Sequence, residues 1–184
     1  ISGRSTKTFL AEGRWDTLIS QTRPGDFILL QFGHNDSHSK DRPESTDAAT
    51  DYQDNLRRYA DDAAKAGARL VFVTPPARRY FEQGQVAQWL LPYSEAMKAV
   101  AREKNTPVVD LHALSGALMQ QRGEAGCEEW FCPGDRTHFS ALGAEVSVPT
   151  LEGPVAMKIP AGNASSHGSG PVTCSSHLSS RQAV

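Results

Sequence analysis

No stretch of this chain approaches the roughly 20 consecutive apolar residues that a membrane-spanning helix requires. Its nearly continuous apolar runs, such as Phe27–Phe32 and Leu70–Thr74, have the length of a strand. Charge of one sign is also lacking: 19 basic residues face 21 acidic ones, a formal net charge of -2. That balance gives no general attraction to nucleic acid or to anionic membranes. The opening residues, Ile1 to Ser5, contain no apolar core of a secretion signal. Cysteine is scarce, with Cys127, Cys132 and Cys174 only. No second closely spaced pair accompanies Cys127 and Cys132, which argues against a structural zinc site. The pair reads either as two free or partly buried thiols or as a bridge within one loop, the latter pointing to an oxidising compartment. Internal repeats are absent as well.

What remains is an ordinary globular composition. Hydrophobic residues make up 39% and charged residues 22% of 184, enough to bury one core of α/β size. Pro24-Gly25-Asp26 and Gly33 bracket the run Phe27–Phe32, which reads as a buried parallel strand. From Asp51, the residues Tyr52, Leu56, Tyr59, Ala60 and Ala63 follow helical spacing, and Gly67 closes that helix. Leu70–Thr74 reads as a second strand stopped by Pro75-Pro76. A long loop follows through Gly84, then a helix from about Pro92 to Lys104 with proline in its first turn. Val108–Asp110 is expected as a third strand, and His112 to Arg122 as a further helix ending at Gly123. The β-α-β-α-β order predicts a parallel sheet with helices on both faces and all three strands central. Sites in such sheets form at the carboxyl ends of the strands. After Val146 periodicity is lost, and Ala161–Ser180 is rich in serine and glycine. The expected division is a domain over 1–146 and an atypical tail over 147–184, disordered from about residue 160.

Four polar groups stand where chemistry is expected. Gly33-His34-Asn35-Asp36 follows the first strand. Asp135-Arg136-Thr137-His138 precedes a helix-like segment beginning at Phe139. Gly3-Arg4-Ser5 lies at the start, and Arg78-Arg79 in the loop after the second strand. Imidazole titrates near neutrality, which suits a general base, and an Asp three residues earlier is able to reach Nδ1 and orient the ring. The Asn35 amide at a strand end is able to donate to a developing oxyanion, and Gly3 offers an unobstructed backbone N–H. Each feature alone also has a structural reading: a helix cap for Asp135, a turn for Asn35, and surface ion pairs for the arginines.

Taken in order, the blocks resemble the SGNH/GDSL hydrolase superfamily. The resemblance tightens to the rhamnogalacturonan acetylesterase-like group through Gly3-Arg4-Ser5-Thr6-Lys7-Thr8-Phe9, Glu12-Gly13-Arg14-Trp15, Gln31-Phe32-Gly33-His34-Asn35-Asp36, Val73-Thr74-Pro75-Pro76 and Asp135-Arg136-Thr137-His138-Phe139. It implies a flavodoxin-like three-layer α/β/α sandwich and a serine-dependent ester hydrolase with no cofactor and no metal. The expected substrate is an acylated carbohydrate or another small ester, with no nucleic acid or membrane partner, and a secreted or periplasmic location. Carried over, His138 is the base, Asp135 its orienting carboxylate, and Gly3 and Asn35 oxyanion donors; Arg78 and Arg79 face an acidic sugar. The superfamily's Gly-Asp-Ser nucleophile turn has no counterpart here, so the sheet is expected to lack its first strand. This chain alone is then expected to be inactive. The helix that normally follows the Asp-x-x-His block gives way after Glu145. Two other classes compete: an inactive or non-catalytic carbohydrate-binding relative, and a metal-dependent phosphoesterase using His34, Asp36, His38, Asp135 and His138 as ligands.

Overall fold

The computed structural model describes residues 2–147, so the expected tail lies outside the described residues apart from Ser147. Two short helices, not among the expected elements, precede the first strand. In α1 (Thr6–Ala11), the Ser5 hydroxyl accepts from the Thr8 N–H, and the Thr8 hydroxyl accepts from the Ser5 N–H at 2.9 Å. This reciprocal cap starts the helix, and Phe9 and Leu10 pack it against the core. Helix α2 (Arg14–Gln21) buries Trp15.

Strand β1 (Phe27–Gln31), helix α3 (Asp51–Lys65) and strand β2 (Arg69–Val73) form the first β-α-β unit. A small antiparallel hairpin, β3 (Phe81–Glu82) and β4 (Gln85–Val86), occupies part of the segment expected as loop. Helix α4 (Leu91–Glu103), strand β5 (Val108–Val109) and helix α5 (Leu111–Arg122) follow. A single 3-10 turn (Glu128–Trp130) and α6 (Ala141–Ser147) complete the described chain.

The three long-range strands are parallel, in the order β1-β2-β5. Their registers place Gln31 opposite Val73 and Val73 opposite Val109. The three strands therefore end on one row, and whatever follows them lies along one edge. The expectation that all three strands are central needs correction, because among the described residues only β2 is flanked on both sides. Leu70, Val71 and Phe72 of β2 are buried on both faces, whereas β1 alternates. Ile28 and Leu30 face the core while Leu29 is 67% exposed, since no described element covers that face of an edge strand. The third strand is also shorter than expected. Asp110 leaves the ladder to cap α5, accepting from the Ala113 N–H at 3.2 Å.

The helical face read from the sequence is the one that packs. Tyr52, Leu56, Tyr59, Ala60 and Ala63 of α3 are buried against Ile28, Leu30, Leu70 and Phe72, with Met97 and Val100 of α4. Each large apolar side chain buried there contributes roughly 1.5–3 kcal/mol. A second apolar cluster joins Ala77, Val86, Met119, Cys127, Trp130 and Phe131. Cys127 is a free, buried thiol, so the loop bridge to Cys132 does not form. At Gly143 an added Cβ collides with the Trp130 carbonyl, so only glycine lets α6 pack this closely.

Candidate active site

The loop after β1 is built around one carboxylate. Asp36 is fully buried and accepts from the Thr6 N–H at 3.1 Å, the Gly33 N–H at 3.1 Å, the Thr46 hydroxyl at 3.1 Å and the Thr6 hydroxyl. Burial raises its pKa above the usual carboxylate value, although the hydrogen bonds from Thr6 and Thr46 pull the other way. Three tyrosine hydroxyls complete the frame. Tyr52 donates to the Phe32 carbonyl at 3.1 Å and Tyr59 to the Thr6 carbonyl at 2.8 Å; Tyr93 reaches the Asp36 and Thr46 carbonyls at 3.0 and 2.6 Å. Gly33 sits at φ +133, and a Cβ there meets Pro75 Cγ at 2.6 Å, so the strand exit tolerates no side chain.

This frame holds the expected oxyanion residues. The Asn35 amide donates to the Arg4 carbonyl at 3.0 Å, which brings the first and second polar blocks together and leaves the second amide proton for another acceptor. Gly3, immediately before Arg4, has φ +80 and open space around it.

The late block is local and open. The His138 Nδ1 lies 2.7 Å from Asp135 Oδ2, while Asp135 Oδ1 accepts from the backbone N–H of Thr137 at 2.6 Å and of His138 at 3.1 Å. Desolvation raises the Asp135 pKa, but the hydrogen bonds from His138 and Thr137 outweigh it and hold the carboxyl at about 2. Asp135 therefore orients the imidazole rather than capping α6; that cap is Ser140, which accepts from the Gly143 N–H at 3.1 Å. The His138 side chain is 76% exposed, and its Nε2 engages no described side chain.

His34 precedes Asn35 in the loop after β1, and its carbonyl accepts from Arg78 at 3.0 Å. Its pKa falls to about 4, first through burial, then through the nearby charges of Arg78 and His138. Its Nε2 is buried without a partner. The 74–79 loop is stitched to the late block by the Arg79 N–H, which donates to the Arg136 carbonyl at 2.7 Å. The structure thus joins Gly3 to Asn35 through Arg4 and Asp135 to His138 directly, and the loop after β2 touches both blocks, through Arg78 at the His34 carbonyl and through the Arg79–Arg136 backbone bond. Sequence reasoning missed Asp36 as the keystone, along with the three tyrosines. The available signal was tyrosine on a buried helical face, where the hydroxyl must find a partner.

The metal-ligand types noted in the sequence do not assemble. Among the described residues no group of three or more His, Cys, Asp or Glu is placed to hold a metal ion. His38 pairs with Glu44 at 2.7 Å, and Asp36 is spent on Thr6, Gly33 and Thr46. A cavity of about 450 Å³ lies at the opposite end of the sheet, lined by residues that include Phe27, Arg69, Thr106 and Pro107. None of Gly3, Asn35, Asp135 and His138 lines it.

Comparison with known proteins supplies the family. The model of the GDSL-like lipase/acylhydrolase family matches residues 1–146. Rhamnogalacturonan acetylesterase RhgT of Bacillus subtilis (strain 168) is 38% identical over 166 residues, covering 82% of this chain and 70% of its own. Probable rhamnogalacturonan acetylesterase YesY of the same organism is 37% identical, covering 78% of this chain and 68% of its own. Among solved structures, the YXIM protein of Bacillus subtilis superposes with a TM-score of 0.70 at 24% identity, over 82% of this chain and 43% of that one. This chain therefore spans less than half the length of that structure, and the likeness establishes the α/β fold.

Proposed function

The chain belongs to the GDSL-like lipase/acylhydrolase family, and from that membership we propose that it is a serine-type carboxylic ester hydrolase acting on O-acetylated carbohydrate. The observation that carries the reading is the 2.7 Å Asp135–His138 pair, set on the same sheet edge as the Asn35 amide. His138, oriented through Nδ1, takes the proton of the attacking hydroxyl at its open Nε2. The Asn35 amide and the Gly3 N–H receive the oxyanion of the tetrahedral intermediate, where one such donor is worth roughly 3 kcal/mol. His138 then returns the proton to the departing sugar oxygen. The carbohydrate substrate follows from the two relatives named as rhamnogalacturonan acetylesterases. An exposed Trp89, packed at a tilt against Tyr80 with ring centroids 4.7 Å apart and near Arg136, offers an apolar surface for a sugar ring on the same rim.

Among the described residues no serine hydroxyl hydrogen-bonds the His138 ring, which pairs with Asp135. Ser5 is fully buried and committed to capping α1. In our reading the serine arrives on a strand ending in Gly-Asp-Ser that pairs with the outer edge of β1. Two features support that placement: among the described residues β1 is paired on one side only, and Leu29 leaves an apolar side chain uncovered. The test compares aryl acetate hydrolysis by the 184-residue chain with that by the same chain carrying such a strand ahead of Ile1. We expect turnover only in the extended form, and its loss in His138→Ala. Fluorophosphonate-sensitive turnover at enzyme-like rates by the shorter chain would instead make a serine such as Ser2 the nucleophile.

A further inference from the structure

Trp89 is one of three tryptophans, and it alone reaches the surface. Trp15 and Trp130 are buried in the two apolar clusters, whereas Trp89 is 48% exposed. Exposure does not leave it loose. Its Nε1–H donates to Glu82 Oε1 at 3.0 Å, and its ring leans on Tyr80. On either side of it Ala87 and Leu90 are buried, and the Ala87 N–H donates to the Tyr80 carbonyl at 2.8 Å. Glu82 is itself fixed. The β3–β4 hairpin turns through Gln83 and Gly84 at φ 50 and 78, two left-handed residues that set Glu82 opposite Gln85. Gln120 of α5 ties this hairpin down, accepting from the Val86 N–H at 2.9 Å and donating to the Gly84 carbonyl at 3.0 Å.

A large ring held in one orientation and left in water forfeits much of the stabilisation that burial would give. Its one polar group is already satisfied by Glu82, so what Trp89 presents is its face. That face is electron-rich and attracts the polarised C–H groups that a pyranose carries on one side. A ring fixed before the ligand arrives loses little freedom on binding. Position matters as well. The Arg136 guanidinium lies 5.3 Å from the Tyr80 ring, and Arg136 stands between Asp135 and His138 in the chain. Trp89 thus reaches that turn through Tyr80 and Arg136 rather than at the His138 ring, which pairs with Asp135. A sugar seated on Trp89 is therefore not the one whose ester meets His138. We propose that Trp89, braced by Tyr80 and Glu82, is a distal subsite for a pyranose ring further along the glycan, so that the protein selects oligomeric over monomeric substrate. This rests on the carbohydrate ester reading above and adds a dependence on chain length.

Binding separates this claim from catalysis, because it needs no nucleophile. The probes are a deacetylated disaccharide and hexasaccharide of rhamnogalacturonan, the glycan in the names of two relatives. They are titrated calorimetrically into the 184-residue chain in high salt, which screens charge. The hexasaccharide is expected to bind about three- to tenfold tighter than the disaccharide, the gain of one ring set on an aromatic face. That preference should vanish in Trp89→Ala, checked for folding by circular dichroism. It should largely persist in Trp89→Phe, which keeps a ring face and loses only the bond to Glu82. In the unmodified chain the hexasaccharide, but not the disaccharide, should shield the exposed indole from acrylamide quenching, an arm that needs no variant. Equal affinity for the two probes, binding of neither, a preference intact in folded Trp89→Ala or lost in folded Trp89→Phe, or absence of shielding would each overturn the subsite. An indole already shielded in the free chain would mean that a second copy or another part of the chain covers it, and would overturn the subsite too. Aryl acetate turnover in the extended chain with length-independent binding would remove the subsite and leave the esterase reading. Length-dependent binding at Trp89 without turnover would remove the esterase reading and leave the subsite.

Discussion

Asp36 and Asp135 each organise one loop of the same site, yet Asp36 is fully buried and the Asp135 side chain is 33% exposed. Asp36 gathers donors from Thr6, Gly33 and Thr46, far apart in the chain, and three tyrosines from α3 and α4 brace the result. Asp135 accepts only from residues two and three positions later. The loop proposed as the oxyanion side is thus part of the core, while the turn that carries the proposed base, His138, is self-contained and rests on it. Damage to the first should appear as lost stability, and damage to the second as lost chemistry.

The largest effect expected is kinetic. In the extended, Ser-bearing form, Asp135→Asn should lower kcat roughly 10²- to 10⁴-fold, because the imidazole loses its fixed tautomer. Its unfolding free energy should change by less than about 1 kcal/mol, as befits an exposed pair. Stopped assays and urea titrations on the same preparation check both halves, and a large stability loss would erase the distinction between the two loops. On the other side, Asp36→Ala strands several buried donors and should cost about 3–5 kcal/mol in urea unfolding. A loss below about 1 kcal/mol would mean that the tyrosines alone hold the loop.

Acid sharpens the comparison. The His34 pKa is lowered from 6.5 to about 4 in the fold. The unfolded chain therefore binds the extra proton first, and stability falls as pH drops from about 6.5 to about 4, with no further loss from this group below that. Between pH 7 and 5 its share is about 1–2 kcal/mol, and His34→Gln should flatten the slope of urea midpoints by that amount. The Asp135 pKa is lowered from 3.8 to about 2. Its contribution is present above about pH 4 and disappears only as pH falls toward 2. The His34 share should therefore loosen the core-side loop before the Asp135 turn, opposed in part by Asp36, whose raised pKa makes the folded loop take up a proton as pH falls; amide exchange at Gly33–Ser37 and Thr137–Phe139, compared with His34→Gln, would record the sequence.

The smallest effect concerns β1. Leu29→Gln should shift the stability of the 184-residue chain by no more than about 0.5 kcal/mol, since the side chain already faces water. With a strand paired along β1 the same change should cost roughly 2 kcal/mol. Equal costs in the two forms would argue against the strand docking there.

Much of this molecule follows from local pattern. The buried face of α3 is legible because helical period and burial coincide in Tyr52, Leu56, Tyr59, Ala60 and Ala63. The parallel order of β1, β2 and β5 follows from short apolar runs separated by helices. The Asp135–His138 contact is equally readable, because three residues of turn suffice to close it. Helices α1 and α2 were harder to read, since six and eight residues hold only one or two turns, although Trp15, Leu18 and Ile19 do recur at helical spacing in α2. The edge position of β1 was not readable: the apolar run Phe27–Leu30 implies two covered faces, and only the neighbours of a strand decide whether both exist. The convergence on Asp36 joins Thr6, Gly33 and Thr46 across tens of residues. Arg79 lies beside Glu128 and Arg78 donates to the His34 carbonyl, which depends on where those partners come to rest. Such pairings are set by burial, which decides which polar groups must find partners inside the fold and which remain free for a ligand, and burial is a property of the folded chain.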